Sequence, residues 1–509
     1  MIPLEWMPPL MFGGLVIFML IGFPVAFSLM AAGLFFSVIA MSEGFFGMSF
    51  LQAIPQRIFG SVLANDLLLA IPFFTFMGAI LERCGLAEEM LDSMGQLFGR
   101  IRGGLGYSVI IVGFMLGAIT GTVAAQVIAM AMISLPVMMR YGYNMRYATG
   151  VLAASGTITQ LVPPSLVLIV LADQLKTQSG SADVGSMYLG AWGPSLLQIA
   201  LFALYTFFLS RFRPDYLPAV PESELTLKGW ALWKKCLMGI IPSAVLIFLV
   251  LGTIMTGIAT PTESGAMGAM GALLLAWLRR ASIPNLKGLV QEAYQNTMRI
   301  TAMVVFILIG STCFSVVFQG VDGGFWVEEL FSNLPGGWVG FLVVVNLFVF
   351  FLAFFLDFFE IAFIVVPMLA PVAVKLLAPV LLASMNGNPQ AAASAALVWF
   401  GVMLCVNMQT SFMHPPFGFA LFYLRGVAPK EVKSSDIYWG ALPWGALQLV
   451  MVAVVIAFPA LVTTFLDKPA AVVESQDFNF TSEDNKSDTP STKVDEDAPV
   501  NFQLDKPVK

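Results

Sequence analysis

Apolar runs of roughly 20 residues, the length a helix needs to cross the hydrocarbon core of a bilayer, recur along nearly the whole chain. Of its 509 residues, 58% are hydrophobic and only 11% charged, and the mean hydropathy is +0.85. This pattern predicts an all-α polytopic membrane protein with about eleven to thirteen membrane helices, the count depending on how interrupted segments are scored. The beginning, MIPLEWMPPLMFGG, carries Glu5 and no Lys or Arg. Without the basic region of a signal peptide, it reads as leading straight into a membrane helix, with a bend expected at Gly22, Phe23 and Pro24.

Two of the runs are broken from within. Residues 149–172, TGVLAASGTITQLVPPSLVLIVLA, are apolar, yet Pro163 and Pro164 sit in the middle and polar Ser155, Thr157, Thr159 and Gln160 precede them. Proline has no N–H to donate and its ring clashes with the preceding turn, so the pair interrupts the helix and frees nearby carbonyls. Such backbone persists at membrane depth only where it is buried in protein or lines a cavity. Within residues 395–424 the pattern returns as MQTSFMHPPFGFALFYL, with Pro415 and Pro416. Paired interrupted helices in two halves point to a transporter's binding site.

A two-part organisation follows. Residues 86–102, LAEEMLDSMGQLFGRIR, place apolar side chains on one helical face and charges opposite, which predicts an arm helix lying along the membrane interface. Residues 283–299 are read as a second arm, because Arg83 and Arg102 align with Arg280 and Arg299 at one common offset, as Asp66 does with Glu263. Setting Pro136 against Pro371 places Thr122 opposite Asp357. The expected repeats are therefore 1–235, with arm 86–102 and hairpin break 149–172, and 236–466, with arm 283–299 and hairpin break 395–424. Between arm and break, 107–139 reads as one helix; after the break, 211–235 reads as the longest polar loop, whose basic excess favours the cytoplasm. Residues 467–509 hold ten Asp or Glu and five Lys, so most of the net charge of −6 lies in a polar, acidic tail expected to be disordered.

The body is nearly neutral and nothing suggests nucleic acid. Cys84, Cys236, Cys313 and Cys405 lack metal or redox spacing. There is no Walker sequence, a single histidine cannot build a multi-histidine metal site, and the clustered His or Asp of a membrane enzyme do not occur. The residues predict no enzyme and no cofactor beyond a coupling ion.

Asp357, in FFLAFFLDFFE, is the most expensive residue, since a carboxylate at membrane depth costs about 2.5–3.5 kcal/mol even on a lenient scale. It reads as a cation ligand, against the alternative of a helix end near the headgroups. In the first half, hydroxyls of Thr120 and Thr122 and carbonyls near Gly156, Thr159 and Val162 offer the uncharged oxygens a sodium ion needs, although Gly117 and Gly121 also fit a packing seam. Thr410, Met413 and His414 form the matching set in the second half, where a lone histidine is otherwise simply a satisfied polar residue. Beyond each break, Ser165 on one side and Phe417 with Gly418 on the other start half-helices whose N–H ends attract an anion. Gln126, Asn407 and Gln409 are candidates to line a polar cavity. Thr260, Pro261, Thr262 and Glu263 read as a helix-capping box.

The ordered set IPFFTFMGAILERCGLAEEMLDSMGQLFGRIRGGLG, GAITGTVAA, LPVMMRYGYN, LVPPS, ATPTES, FLDFFEIAFIVVPMLAP and VNMQTSFMHPPFGFALFYLRGVAP resembles the large membrane subunit of tripartite ATP-independent periplasmic (TRAP) transporters over about residues 8–465. The last motif looks most like the mannitol/chloroaromatic-compound branch. This resemblance implies sodium-driven import of an organic acid across the bacterial inner membrane, with a small four-helix membrane subunit and a periplasmic substrate-binding protein as partners. It also implies an elevator fold, with a fixed scaffold and a moving domain that holds two hairpins, their tips at 156–165 and 410–418. Gly121 and Thr122 stand where the family often has Gly-Ser, and His414 where Thr is common. With no four-helix domain in front, the small subunit is expected as a separate polypeptide. A sodium/carboxylate symporter of the same superfamily, acting without a binding protein, is the alternative.

Overall fold

Glycine and proline punctuate the apolar runs from the start. Gly22 ends α1 (Met7–Ile21) and Pro24 caps α2 (Val25–Ser42), as expected. The computed structural model describes residues 3–225, 229–281, 283, 285–354, 356–414 and 418–468; the acidic tail lies outside them. After short helical segments over 48–63 come α3 (Ala70–Glu82), α4 (Leu86–Phe98), α5 (Gly104–Thr120), α6 (Val123–Arg140), α7 (Met145–Thr157), α8 (Leu166–Gln174) and α9 (Val184–Phe212). Then follow α10 (Trp230–Met255), α11 (Pro261–Leu278), α12 (Leu286–Gly320), α13 (Gly323–Ser332), α14 (Gly337–Leu352), α15 (Phe358–Leu381), α16 (Pro389–Met408), α17 (Phe419–Val427) and α18 (Ser434–Ala457). Among the described residues the fold is all-α, and eight helices, or up to ten if each bent pair is one span, are long and apolar enough to cross a membrane; two more apolar helices are shorter.

A framework of α1–α3 and α10–α12 packs through small residues. A Cβ added at Gly310 of α12 would stand 2.6 Å from the Ala26 carbonyl oxygen of α2, and one at Gly33 would stand 3.1 Å from that of Cys313, so the two backbones approach as closely as glycine allows. Ion pairs fix one end of this framework. Arg279, just past α11, donates to the Cys84 carbonyl at 3.3 Å and to Glu89 of α4 at 2.7 Å. Arg83 pairs with Glu292 at the start of α12, and Lys235 near the start of α10 pairs with Asp92 of α4. Arg83 thus ties two helices together. At the opposite end, Thr262 donates to the Asp66 carbonyl at 2.8 Å and Arg57 to Gln319 at 2.8 Å.

The arms depart from expectation. Residues 86–98 of the expected arm 86–102 form α4, and the chain turns at Gly103, whose φ of +78° suits glycine, before α5. Residues 286–299, however, are no separate arm: they open a continuous helix of 35 residues. Gly103 and Gly104 follow Arg102, whereas Ile300 and Thr301 follow Arg299 and simply propagate the helix. In chain order the counterpart of α4 is α13, which reaches α14 through Gly336 (φ +92°) with a bend of 117°. The common offset of the arginines therefore does not join equivalent elements.

The fold-backs also lie elsewhere than expected. Residues 107–139 are two antiparallel helices, since the left-handed Gly121 (φ +63°) reverses the chain after Thr120. Gln126 near the start of α6 accordingly reaches the Gly113 carbonyl of α5, and Leu105 at its far end donates to the Tyr143 hydroxyl at 3.3 Å. α14 and α15 fold back likewise, with Val344 and Phe348 facing Val365 and Met368. In contrast, α7 barely touches α8 and α16 barely touches α17. The breaks at 149–172 and 395–424 therefore interrupt helices that continue onward; they are not hairpins. A proline pair removes hydrogen bonds without supplying the positive φ that reverses a chain.

Across the centre, α8 packs on α15 and α16 while α17 packs on α6 and α7. The two broken helices thus pass each other with their breaks adjacent. The loop between halves is shorter than expected, because α10 already begins at Trp230; the proposed boundary at 235 falls inside that helix. This loop is held to the α4 end by Gly103 N–H to the Leu217 carbonyl (3.1 Å) and Val220 N–H to that of Gly99 (2.8 Å).

Candidate functional site

Each hairpin tip meets a helix break. At the first tip, a Cβ at Gly121 would lie 3.7 Å from Leu166, the first residue of α8, and one at Gly117 would lie 3.1 Å from the Thr159 Cα. Thr122, in extended conformation, caps α6 by position without a side-chain hydrogen bond. Thr120 closes α5; its side chain lies outside the described residues. At the second tip, Phe350 and Phe354 enclose His414, both ring centroids 4.3 Å from the imidazole, and Asp357 follows.

The sequence candidates then separate by how their polar atoms are used. Gln126 is fully buried and engaged: its amide nitrogen donates to the Ser155 carbonyl at 3.0 Å as well as to that of Gly113, and its oxygen accepts from Thr159. It sews α5, α6 and α7 together. The single Thr159 proton is shared with the Gly156 carbonyl, whose oxygen lies 2.9 Å from the hydroxyl, so one lone pair of that oxygen is engaged. Val162 is buried in the turn, its N–H bonded to the Ile158 carbonyl at 3.1 Å. Ser165 caps α8, accepting from Val167 N–H at 3.1 Å and donating to the Gln160 carbonyl. Its hydroxyl is occupied by the backbone.

In the second half, the Thr410 hydroxyl donates to the Asn407 carbonyl at 2.7 Å and the Met413 N–H to the Thr410 carbonyl at 2.8 Å. Gly418 caps α17, and a Cβ there would stand 2.8 Å from the Phe412 carbonyl oxygen, so the turn needs glycine. Phe417, with Pro415 and Pro416, lies outside the described residues. Asn407 donates to the Asn346 carbonyl at 2.8 Å and its side-chain oxygen at 3.0 Å, while its own side-chain oxygen has no protein partner. Both amide atoms of Gln409 and both ring nitrogens of His414 are buried without a partner among the described residues. His414 is therefore not a satisfied polar residue.

Asp357 has a structural duty that the sequence reading did not assign. It accepts from the Glu360 N–H at 3.1 Å, and Glu360 accepts from the Asp357 N–H at 3.0 Å, a complete capping box at the start of α15. The D-x-x-E spacing that signals it matches the T-x-x-E box correctly read at Thr260 and Glu263. Also missed were Gln160, whose amide is buried without partner, and Gln448, which donates to the Thr157 hydroxyl at 2.8 Å. Single amides inside apolar helices were the available signal. The breaks touch directly, the Cys405 thiol lying 3.1 Å from the Gln160 carbonyl oxygen.

The arrangement thus collects two glycine- or aspartate-marked tips, two half-helix N-termini and several uncommitted amides at the crossing of the broken helices. A family model for the DctM component of the tripartite ATP-independent periplasmic transporter matches residues 12–461. The chain belongs to this family of TRAP permeases. Among its relatives, the C4-dicarboxylate TRAP transporter large permease protein DctM of Rhodobacter capsulatus is 26% identical over 463 residues, covering 89% of this chain and 97% of the relative. The sialic acid TRAP transporter large permease protein SiaM of Vibrio cholerae is 26% identical, with coverage of 86% and 93%. The isethionate TRAP transporter permease protein DctMQ of Oleidesulfovibrio alaskensis is 26% identical over 89% of this chain and 65% of its own length. In fold, this TRAP permease is similar to the YdaH transporter of Alcanivorax borkumensis, with a TM-score of 0.54 at 15% identity over 82% of this chain and 90% of that one. The relatives are transporter permeases, and this multi-pass chain is one rather than an enzyme.

Proposed function

We propose that this permease imports an organic acid across the bacterial inner membrane, driven by a sodium gradient, from a periplasmic binding protein and together with a small four-helix membrane subunit. The observation that carries the reading is the meeting of each hairpin tip with a broken helix. The N-terminal ends of α8 and α17 carry partial positive charge to the centre of the body, where a carboxylate is the natural complement. Gln409, Asn407, Gln160 and His414 retain hydrogen-bonding capacity that no protein group uses, as a substrate-facing set would. Sodium is assigned to the tips: Thr122 with Thr120, Gly156, Thr159 and Val162 on one side, and Asp357 with Thr410, Met413 and His414 on the other. Here Asp357, with the Glu360 carboxylate beside it in the capping box, supplies the acidic oxygen among neutral ones for a monovalent cation. The named substrates of the relatives are organic anions, in keeping with this site. The two hairpin and broken-helix units, set against the packed framework, are read as the moving and fixed parts of an elevator.

Reconstitution tests the proposal. Liposomes containing the permease and small subunit, given binding protein and an inward sodium gradient, are expected to accumulate the acid, and omission of either partner to abolish uptake. Robust uptake by the permease alone would move the reading to a simple symporter. Uptake undiminished without sodium would remove the coupling ion.

A further inference from the structure

Outside the central site, two ion pairs hold basic residues at corresponding places. Arg140, the last residue of α6, donates to both carboxylate oxygens of Glu224 at 3.0 and 3.1 Å. Lys375 of α15 pairs with Glu328 of α13. The register that sets Pro136 against Pro371 also sets Arg140 against Lys375. Each base therefore sits toward the outer end of a hairpin's returning helix. Each acid sits on the segment beside it: Glu224 on the loop tied to Gly99, and Glu328 on the helix equivalent to α4. Each acid also lines a cleft at its own end of the molecule. The first, of about 150 Å³, lies between α4, α5 and α6 with Ser134 on its wall. The second, of about 350 Å³, lies between α12, α13 and α15 with Ser315 on its wall.

We infer that the two pairs are separate latches: each holds one hairpin's outer end against its neighbouring segment, and release of one opens the cleft at that end alone. This rests on the elevator reading for its role in transport. Exposure sets the strength. The side chains are 66% and 39% exposed in the first pair and 57% and 40% in the second, so each contributes little and is screened by salt. A weak latch suits a cycle that opens many times, because it shifts an equilibrium about 1.5- to 5-fold without trapping one state.

The test uses the full chain in proteoliposomes. The four native cysteines are buried, so Ser134→Cys and Ser315→Cys report on their clefts through the rate of modification by a small polar maleimide. Glu224→Gln is expected to speed Ser134→Cys about 1.5- to 5-fold and leave Ser315→Cys unchanged, and Glu328→Gln to do the reverse. The swap Arg140→Glu with Glu224→Arg restores the first rate, and high salt removes the differences. Unchanged rates in correctly folded variants, equal acceleration at both cysteines, or a swap that restores nothing would overturn the latches. Since labelling is read without substrate or sodium, the outcome is independent of transport. Latches that respond while substrate and sodium leave both clefts unaltered would instead remove the elevator reading.

Discussion

A buried amide in an apolar body is either held by the protein or left for something else to hold. Gln126 belongs to the first kind and Gln409 to the second. Replacing Gln126 with leucine removes its hydrogen bonds to the Gly113 and Ser155 carbonyls, each worth about 0.5–1.5 kcal/mol, so Gln126→Leu should lower the melting temperature. Gln409→Leu should leave melting nearly unchanged and abolish uptake; the opposite pattern in paired thermal-shift and uptake assays would reverse the two roles. Asp357 needs a finer separation because it caps α15. Asparagine caps a helix as well as aspartate, whereas alanine costs about 0.5–2 kcal/mol. Asp357→Asn should therefore keep stability and raise the sodium half-saturation of uptake, while Asp357→Ala loses both. Thr122→Ser should change little, and Thr122→Ala should weaken sodium dependence; an unaltered sodium curve in Asp357→Asn would make this carboxylate a cap alone. The sequence made Asp357, Gln409 and His414 visible through the cost of polar groups in apolar surroundings. It could not tell Gln126 from Gln409, because that difference depends on which carbonyls another helix brings within reach.

Among the elements, the bend before α2, the cap of α11 and the two proline breaks were legible because caps and prolines act locally. The reversal at Gly121 was not, because a glycine flanked by threonines in an apolar run is equally consistent with a packing seam, and the fold-back is revealed by the pairings of Gln126 with Gly113 and of Leu105 with Tyr143. The second arm was misplaced for a related reason. Matching charges at helix ends recur wherever helices leave the membrane, so a common offset of arginines carries little information about topology. Close packing gives an element-level prediction. In Gly310→Ala the new methyl would stand 2.6 Å from the Ala26 carbonyl oxygen, forcing α12 off α2. Overpacking of this kind costs about 1–3 kcal/mol, and it should appear as a lowered melting temperature in detergent. Gly13→Ala is the control: it lies inside α1 with nothing within 4 Å of the added carbon, so the better helix former should leave stability equal or slightly higher. Equal melting of the two variants would mean that the α2–α12 seam is not rigid.

For the whole molecule, the distribution of charge between its two ends decides orientation. Arg83, Arg140, Arg146, Lys235 and Arg279 are fixed at the α4 end by ion pairs with Glu292, Glu224, Asp436, Asp92 and Glu89, and Arg211 and Arg213 flank the end of α9 beside them. The opposite end carries Arg57, Lys176 and Lys375 among Asp173, Asp322, Glu328 and Glu329. Short connections rich in Lys and Arg stay in the cytoplasm, so the α4 end should face inward and the α13 end the periplasm. The α5–α6 hairpin then enters from the cytoplasmic side and α14–α15 from the periplasmic side, which leaves the α13 end as the face open to a delivering protein. Two single cysteines test this in intact cells with a maleimide that crosses the outer membrane but not the inner. Ser384→Cys, in the turn after α15, should be modified at once. Ser223→Cys, in the loop between α9 and α10, should react only after the inner membrane is permeabilised. Labelling of Ser223→Cys in sealed cells with protection of Ser384→Cys would invert the molecule, and with it the side from which each hairpin opens.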